Sequence, residues 1–135
     1  MDSEKATTQT SASDDLKQAK AVDFIVQYIV LRKDLNWPLG ALIAQSCHAA
    51  TSAMHLFSSD DVTQAYLSDL NNMHKVVLGV DNLADLESLN KKLIENNVKF
   101  KLWTEQPENI ATAIATKPYM KKEIERFFKK FKLLK

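Results

Sequence analysis

Residues 22–34 read VDFIVQYIVLRKD, and they decide the fold. The stretch is dense in β-branched and aromatic residues and ends in charge at Arg32, Lys33 and Asp34. A half-exposed strand alternates apolar and polar side chains, whereas this run is almost continuously apolar. It therefore predicts a central strand that is covered on both faces.

The next segment predicts a long helix that packs against this strand. Asn36 is placed to cap the helix, Pro38 suits its first turn, and residues 39–57 contain no helix breaker apart from Gly40. Alanines make the helix thin enough to lie close to a sheet; they are Ala41, Ala44, Ala49, Ala50 and Ala53.

The rest of the chain predicts a mixed α/β order. It comprises a helix over 59–70, a strand over 75–80, a helix over 81–97, strands over 98–105 and 109–116, and a final helix from about Met120 that directs Ile124, Phe127, Phe128 and Phe131 inward. Helical crossovers favour parallel pairing of the first three strands, and the short 106–108 connection makes the last strand antiparallel. The predicted fold class is α/β, a three-layer α/β/α domain with a central four-stranded mixed sheet.

Ligands of such sheets bind outside the carboxyl ends of the parallel strands. That rule places the end of the first strand, the start of the long helix and the polar loop 104–109 around one cleft. A carboxylate in this loop could act as a general base on water, or it could merely cap the turn.

Length and composition indicate one globular domain of 135 residues, with 45% hydrophobic and 26% charged residues. Residues 1–20 contain no Phe, Tyr, Trp, Ile or Val and predict a flexible tail ahead of a domain over 21–135. We expect a cytoplasmic protein without a membrane span, since no apolar run approaches roughly 20 residues and the N-terminus has no secretory or mitochondrial leader pattern.

Charge is distributed unevenly along the chain. Residues 117–135 carry eight Lys or Arg and two Glu, a net charge of +6, so the other 116 residues carry −5. This asymmetry is typical of a surface that meets a polyanion, or of a solvated helix face.

Cys47 and His48 are adjacent, but neighbours on a helix point about 100° apart, which disfavours a catalytic dyad. His48 instead shares a polar seam with Gln45 and His55, and Cys47 is predicted to be buried. We predict no metal site, because His48 and His55 are about 10 Å apart along the axis. With only two glycines in the chain, a nucleotide cofactor is also not expected.

Three segments resemble the archaeal and eukaryotic type (type II) of peptidyl-tRNA hydrolase, and more narrowly its peptidyl-tRNA hydrolase domain-containing branch. They read YIVLRKDLNWPLGALIAQSCHAA, KVVLGVDNLADLESL and LWTEQPENIATAIATKPY, and the resemblance covers about residues 24–135. It implies a four-stranded mixed sheet and hydrolysis of the ester between a peptide and the 3′ ribose of transfer RNA, with no cofactor.

This chain departs from the family pattern at the site. Typical members carry a Lys-rich MGKGK segment with a catalytic lysine, where residues 37–41 read WPLGA. The family's Asp-bearing loop DAGRTQIAPGT is shortened, and its Asp position falls on Thr104 or Glu105. Gln45, His48, Arg32 and Asp34 match the family, whereas Lys33 replaces a small hydroxyl residue.

The resemblance implies a hydrolase with an altered set of catalytic residues. We predict Glu105 or His48 as the base or water-orienting group, Gln45 and Asn109 as positioning donors, and Lys33 as the positive charge. The predicted RNA-binding residues are Arg32, Lys117, Lys121, Lys122 and Lys129. The expected partner is peptidyl-tRNA or another RNA. Two alternatives stay open, a non-catalytic RNA-binding module and a protein-interaction adaptor, and so does a homodimer.

Overall fold

The computed structural model describes residues 23–135, and the predicted tail over 1–20 lies outside them. The central strand β1 spans Ile25–Arg32, and its six inner residues are all buried. Val26, Tyr28 and Val30 belong to the core on one face of the sheet, whereas Ile29 and Leu31 belong to the core on the other. The predicted strand with two covered faces is confirmed.

The other elements follow the predicted order up to residue 116. They are helix α1 (Leu39–Leu56), helix α2 (Asp61–Leu67), a 3-10 turn (Leu70–Asn72), strand β2 (Lys75–Val80), helix α3 (Leu83–Glu95), strand β3 (Phe100–Glu105) and strand β4 (Ile110–Thr116).

Capping differs among the three helices. Asp60 accepts hydrogen bonds from the backbone N–H groups of Val62 and Thr63 at α2, and Asn82 accepts one from Asp85 at α3. The predicted cap of α1 at Asn36 is wrong. The N-cap of α1 is Pro38, and no side chain caps this helix, because the proline ring carries no hydrogen-bonding group; its φ of −56° suits the start of a helix.

Within the described residues the sheet has six strands in place of the predicted four. The order is β3-β4-β1-β2-β6, and β5 pairs with the start of β1. β5 (Tyr119–Met120) and β6 (Lys132–Leu133) have two residues each, too few to show a strand pattern in the sequence. The parallel pairing predicted for three strands holds only for β1 and β2, because β4 lies antiparallel between β1 and β3.

Two helices complete the three layers. On one face α1 contributes Ala49, Ala50 and Ala53, which pack with Ala113 and Ala115 of β4. On the other face α3 contributes the buried leucines Leu86, Leu89 and Leu93. The predicted α/β/α layering with a mixed sheet is therefore confirmed.

The predicted long final helix is wrong. Only Lys121–Ile124 forms a short α-helix, α4, and a 3-10 turn over Glu125–Phe127 follows. Ile124, Phe127 and Phe128 are buried as the sequence predicts, although the backbone that carries them is not one continuous α-helix. A tight turn lets both rings enter the core, where Phe128 stacks on Tyr28 with centroids 4.3 Å apart.

No helix in the described part of the chain, residues 23–135, has both the length and the apolar character needed to cross a membrane.

Candidate active site

Gln45 and Thr112 form the base of a polar cluster between α1 and the β3–β4 hairpin. Both are nearly completely buried, and the Thr112 hydroxyl donates a hydrogen bond to Gln45 Oε1 over 2.8 Å. Since the amide oxygen of Gln45 is occupied by this bond, its NH2 group faces the remaining polar neighbours. A buried amide is thus fixed in one orientation.

Glu105 is the last residue of β3 and lies above this pair. Its Oε1 accepts a hydrogen bond from Trp103 Nε1 over 3.0 Å. The pKa of Glu105 is lowered by this hydrogen bond, by a second one from the Gln45 side chain, and by the nearby charge of His48. Glu105 is therefore an ionised carboxylate at neutral pH.

His48 completes the cluster from α1. Its imidazole stacks on the Trp103 indole, with ring centroids 4.7 Å apart and planes inclined by 26°. His48 is exposed, so it meets solvent on one side and Trp103 on the other. We call Gln45, His48, Trp103, Glu105 and Thr112 the polar cluster.

The sequence did not single out Trp103. Trp103 and Glu105 are two residues apart on β3, so the strand period puts their side chains on the same face. The two-residue spacing of Trp103 and Glu105 could therefore have predicted from the sequence that the indole contacts the carboxylate.

Cys47 does not belong to the polar cluster, and the prediction that it is buried is wrong. The thiol is exposed and lines a depression on the other flank of α1. Neighbouring residues of a helix point in different directions, which separates Cys47 from His48.

Arg32 is tied down at the end of β1. Its guanidinium donates two hydrogen bonds to Asp34, at 3.0 and 2.7 Å, and a third to the carbonyl of Ala111. The pKa of Asp34 is lowered by its hydrogen bonds and charge pairing with Arg32, which outweigh partial burial. Arg32 therefore joins β1 to β4 and has fewer donors left for RNA.

Lys33 and Asn109 lie outside the polar cluster. The Lys33 ammonium pairs with Asp81 over 3.1 Å. The methylene groups of Lys33 cover Gly79 of β2, where an added Cβ would lie 2.7 Å from Lys33 Cδ.

Asn109 has φ 59° and accepts a hydrogen bond from Gln106 within the β3–β4 turn. It lines a depression with residues of α3, on the opposite face from α1.

Lys117, which the sequence predicts to bind RNA, is only 6% exposed. Its ammonium pairs with Asp60 over 3.1 Å, donates to the Pro118 carbonyl, and lies 3.8 Å from the centre of the Tyr119 ring. These contacts hold the ammonium of Lys117 in the interior of the protein.

The other predicted RNA-binding lysines are spread over the C-terminal segment. Lys121 and Lys122 lie beside Phe24 and Asp23, at the start of β1 and so at the far end of the sheet from Glu105. Lys129 is 70% exposed and pairs with Glu125 over 3.8 Å. Lys130 and Lys132 were not among the predicted RNA-binding residues. Together with Lys33 they border a depression at the end of the sheet that carries Glu105.

The fold and the polar cluster define a small α/β protein with a carboxylate, an imidazole and a buried amide at one rim of a mixed sheet. The chain belongs to the family described as Peptidyl-tRNA hydrolase PTH2, whose family model matches residues 25–134. This confirms the family that the sequence motifs resemble, including the domain-containing branch.

Two curated relatives carry the same name, "Putative peptidyl-tRNA hydrolase PTRHD1". The mouse protein is 51% identical over 116 residues, which cover 82% of this chain and 83% of the mouse protein. The human protein is 50% identical over 116 residues, with the same coverage.

Proposed function

We propose that this protein hydrolyses the ester that joins a peptide to the 3′ ribose of transfer RNA. Membership of the family supports the reaction class. The observation that carries the proposal is the polar cluster, in which Glu105, held by Trp103, lies beside an exposed imidazole at the rim of the sheet.

The roles within the cluster follow from its hydrogen bonds. A carboxylate whose pKa is lowered is a weaker base, so we assign proton transfer to His48 and orientation of the attacking water to Glu105. Gln45 acts as a positioning residue, since its amide is fixed by Thr112 and supports Glu105. No role in this step falls to Lys33 or Asn109.

The reaction then proceeds with balanced proton transfers. The water oxygen bonds to the ester carbonyl carbon while His48 accepts the proton of the water. The bond between this carbon and the ribose oxygen then breaks, and the ribose oxygen takes the proton from the imidazolium. The products are a transfer RNA with its 3′ hydroxyl and a peptide acid, which releases the second proton of the water to solvent and becomes a carboxylate at neutral pH.

Transfer RNA is expected to contact the basic C-terminal segment. Phosphate contacts by Lys and Arg supply most of the nonspecific affinity for nucleic acid. Lys129, Lys130 and Lys132 are exposed and belong to the segment that ends near Lys33, so we favour them over Lys121 and Lys122.

We keep the cytoplasm as the predicted compartment, because translation supplies the substrate there.

A single-turnover assay on a defined peptidyl-tRNA tests the proposal. The wild-type protein should release the peptide, and His48→Ala should slow release by at least about 100-fold, as expected for loss of an acid-base group. The same transfer RNA, followed by filter binding, shows whether His48→Ala still binds substrate. Turnover that His48→Ala leaves intact would refute the assigned mechanism.

A second candidate is binding of RNA without hydrolysis. It is favoured by the sequence WPLGA at residues 37–41, where relatives of the resembled type carry the catalytic lysine. In that case the wild-type protein binds transfer RNA with steep salt dependence, yet it releases no peptide even in excess over substrate. The predicted adaptor role would instead show no RNA affinity at low salt.

A further inference from the structure

A large apolar groove lies on the flank of α1 opposite to the polar cluster. Its volume is about 620 Å³, within the range of ligand-binding clefts. The sheet contributes Ile29, Leu31 and Val77, and α1 contributes Leu39, Ile43 and Met54. Leu39 is 73% exposed and Ile43 is 54% exposed, although both have large apolar side chains.

The groove exists because one helical layer is incomplete. α1 packs mainly on β4, β3 and β1, which leaves the same face of β2 largely without a helix in the described residues. The groove extends along α1 from Leu39 to Met54, fifteen residues or about 22 Å. Helices pack about 8–10 Å apart, so a second helix of about 15 residues could lie beside α1 over β2.

The charged side chains that line the groove within residues 23–135 are all cationic. They are Arg32, Lys33, Lys75 and Lys135, and none of the described residues that line the groove is Asp or Glu. Arg32 and Lys33 have carboxylate partners, Asp34 and Asp81, outside the lining.

Within the part of the chain that the structure describes, the hydrogen-bond partners of Lys75 are neutral oxygens, those of the Gln27 amide and the Tyr66 hydroxyl. Partial burial lowers the pKa of Lys75, an effect that Cys47 at the groove partly offsets. An anion placed near this ammonium would replace part of its lost hydration.

We propose that this groove is a docking site for an acidic amphipathic helix of a partner protein. The apolar face of such a helix would cover Ile29, Leu31, Leu39 and Ile43, and its carboxylates would meet Lys33, Lys75 and Lys135. A second copy of this chain fits less well, because two copies would bring like charges together. The docking is separate from ester hydrolysis, and each can fail alone.

Two synthetic helical peptides of about 15 residues test the proposal. Both carry Leu at helix positions i, i+3, i+4 and i+7; one carries Glu at the polar positions and the other carries Lys. Fluorescence anisotropy should show that the Glu peptide binds the full-length protein at least about 10-fold more tightly than the Lys peptide does. Failure of the Glu peptide to bind, or equal binding of both, would overturn the proposal.

Matched variants locate the binding. Ile43→Asn and Lys135→Glu should each weaken binding of the Glu peptide, the first by at least about 10-fold. Ile94→Asn and Lys92→Glu, which change exposed residues of α3, should leave it unchanged. Equal effects of both sets would also contradict the proposal. Sedimentation equilibrium adds a separate readout, because a wild-type dimer that Ile43→Asn dissociates would assign the groove to a second copy instead.

Discussion

The hydroxyl of Thr112 donates a hydrogen bond to Oε1 of Gln45 over 2.8 Å, and both side chains are at most 2% exposed. This bond links β4 to α1 and sets the orientation of the Gln45 amide, so that its NH2 group supports Glu105. The geometry of the half-buried Glu105 side chain therefore depends on a contact in the interior.

Thr112→Val should destabilise the protein by about 1–3 kcal/mol, because it leaves the buried Gln45 oxygen without a donor. Urea unfolding measures the loss as a lower midpoint with an unchanged m-value. Gln45→Met combined with Thr112→Val should recover much of the loss, since it removes both partners. A double variant less stable than Thr112→Val alone would contradict this account.

Glu105→Gln should slow hydrolysis of peptidyl-tRNA by about 100-fold, because the amide cannot orient water as the carboxylate does. The matched control is Glu108→Gln, which removes an exposed carboxylate three residues away in the same turn. Single-turnover rates compare the two. An equal loss in both variants would point to the charge of the turn rather than to the position of Glu105.

Trp103→Phe should raise the pKa of Glu105 and leave the rate of hydrolysis at neutral pH nearly unchanged, because the carboxylate stays ionised there. Phe keeps a ring for His48 to stack on but removes the N–H that lowers the pKa of Glu105. The pKa of Glu105 then rises, and the carboxylate becomes protonated at a higher pH as the solution is acidified. Titration of the Glu105 carboxyl carbon, followed by NMR in both proteins, should show the higher midpoint in Trp103→Phe, and an unshifted midpoint would argue against the Trp103 hydrogen bond as a cause of the lowered pKa.

Asp60→Asn should lower stability in a pH-dependent way. Burial raises the pKa of Asp60, but hydrogen bonds from Lys117 and from the N–H groups of Thr63 and Val62 outweigh this, and the net shift is downward. The stabilisation is therefore present above the unfolded pKa of about 4 and is lost as pH falls through the lower folded pKa. Unfolding midpoints of the two proteins should differ at pH 7 and converge toward pH 3.

Lys132→Glu should weaken transfer RNA binding and reduce the slope of log affinity against log salt by about 1. Lys92→Glu makes the same charge change on α3 and serves as the control. Lys121→Glu, at the other end of the sheet, should have a smaller effect. If Lys121→Glu is the more damaging change, then transfer RNA approaches from the start of β1.

The sequence predicted the layers because they depend on local patterns. The continuous apolar run before Arg32 identified β1, and the leucines at three- and four-residue steps identified α3. Motif matches at Gln45 and His48 indicated the α1 side of the site. After residue 116 the helical period at Ile124, Phe127 and Phe128 predicted the buried residues but not the backbone, because β5 and β6 pair with β1 and β2 and leave room for only a short helix and a 3-10 turn between them.

Which residues come together at the site depended on contacts between residues that are far apart in the sequence. Lys117 looks like any other lysine of a basic segment, yet a partner 57 positions earlier, Asp60, draws it into the interior. Lys33 and Glu105 belong to one predicted cleft, but Asp81 holds Lys33 over β2.

The fold class and the family could be predicted from the sequence, because apolar periodicity and short motifs involve residues that are close together in the chain. Only the tertiary structure decided which charged groups meet. A side chain at the end of a strand can point to either face of the sheet. The face that it takes depends on which partner lies within hydrogen-bond distance. That choice placed Glu105 beside Trp103 and His48, and it left the basic, apolar groove on the other flank of α1.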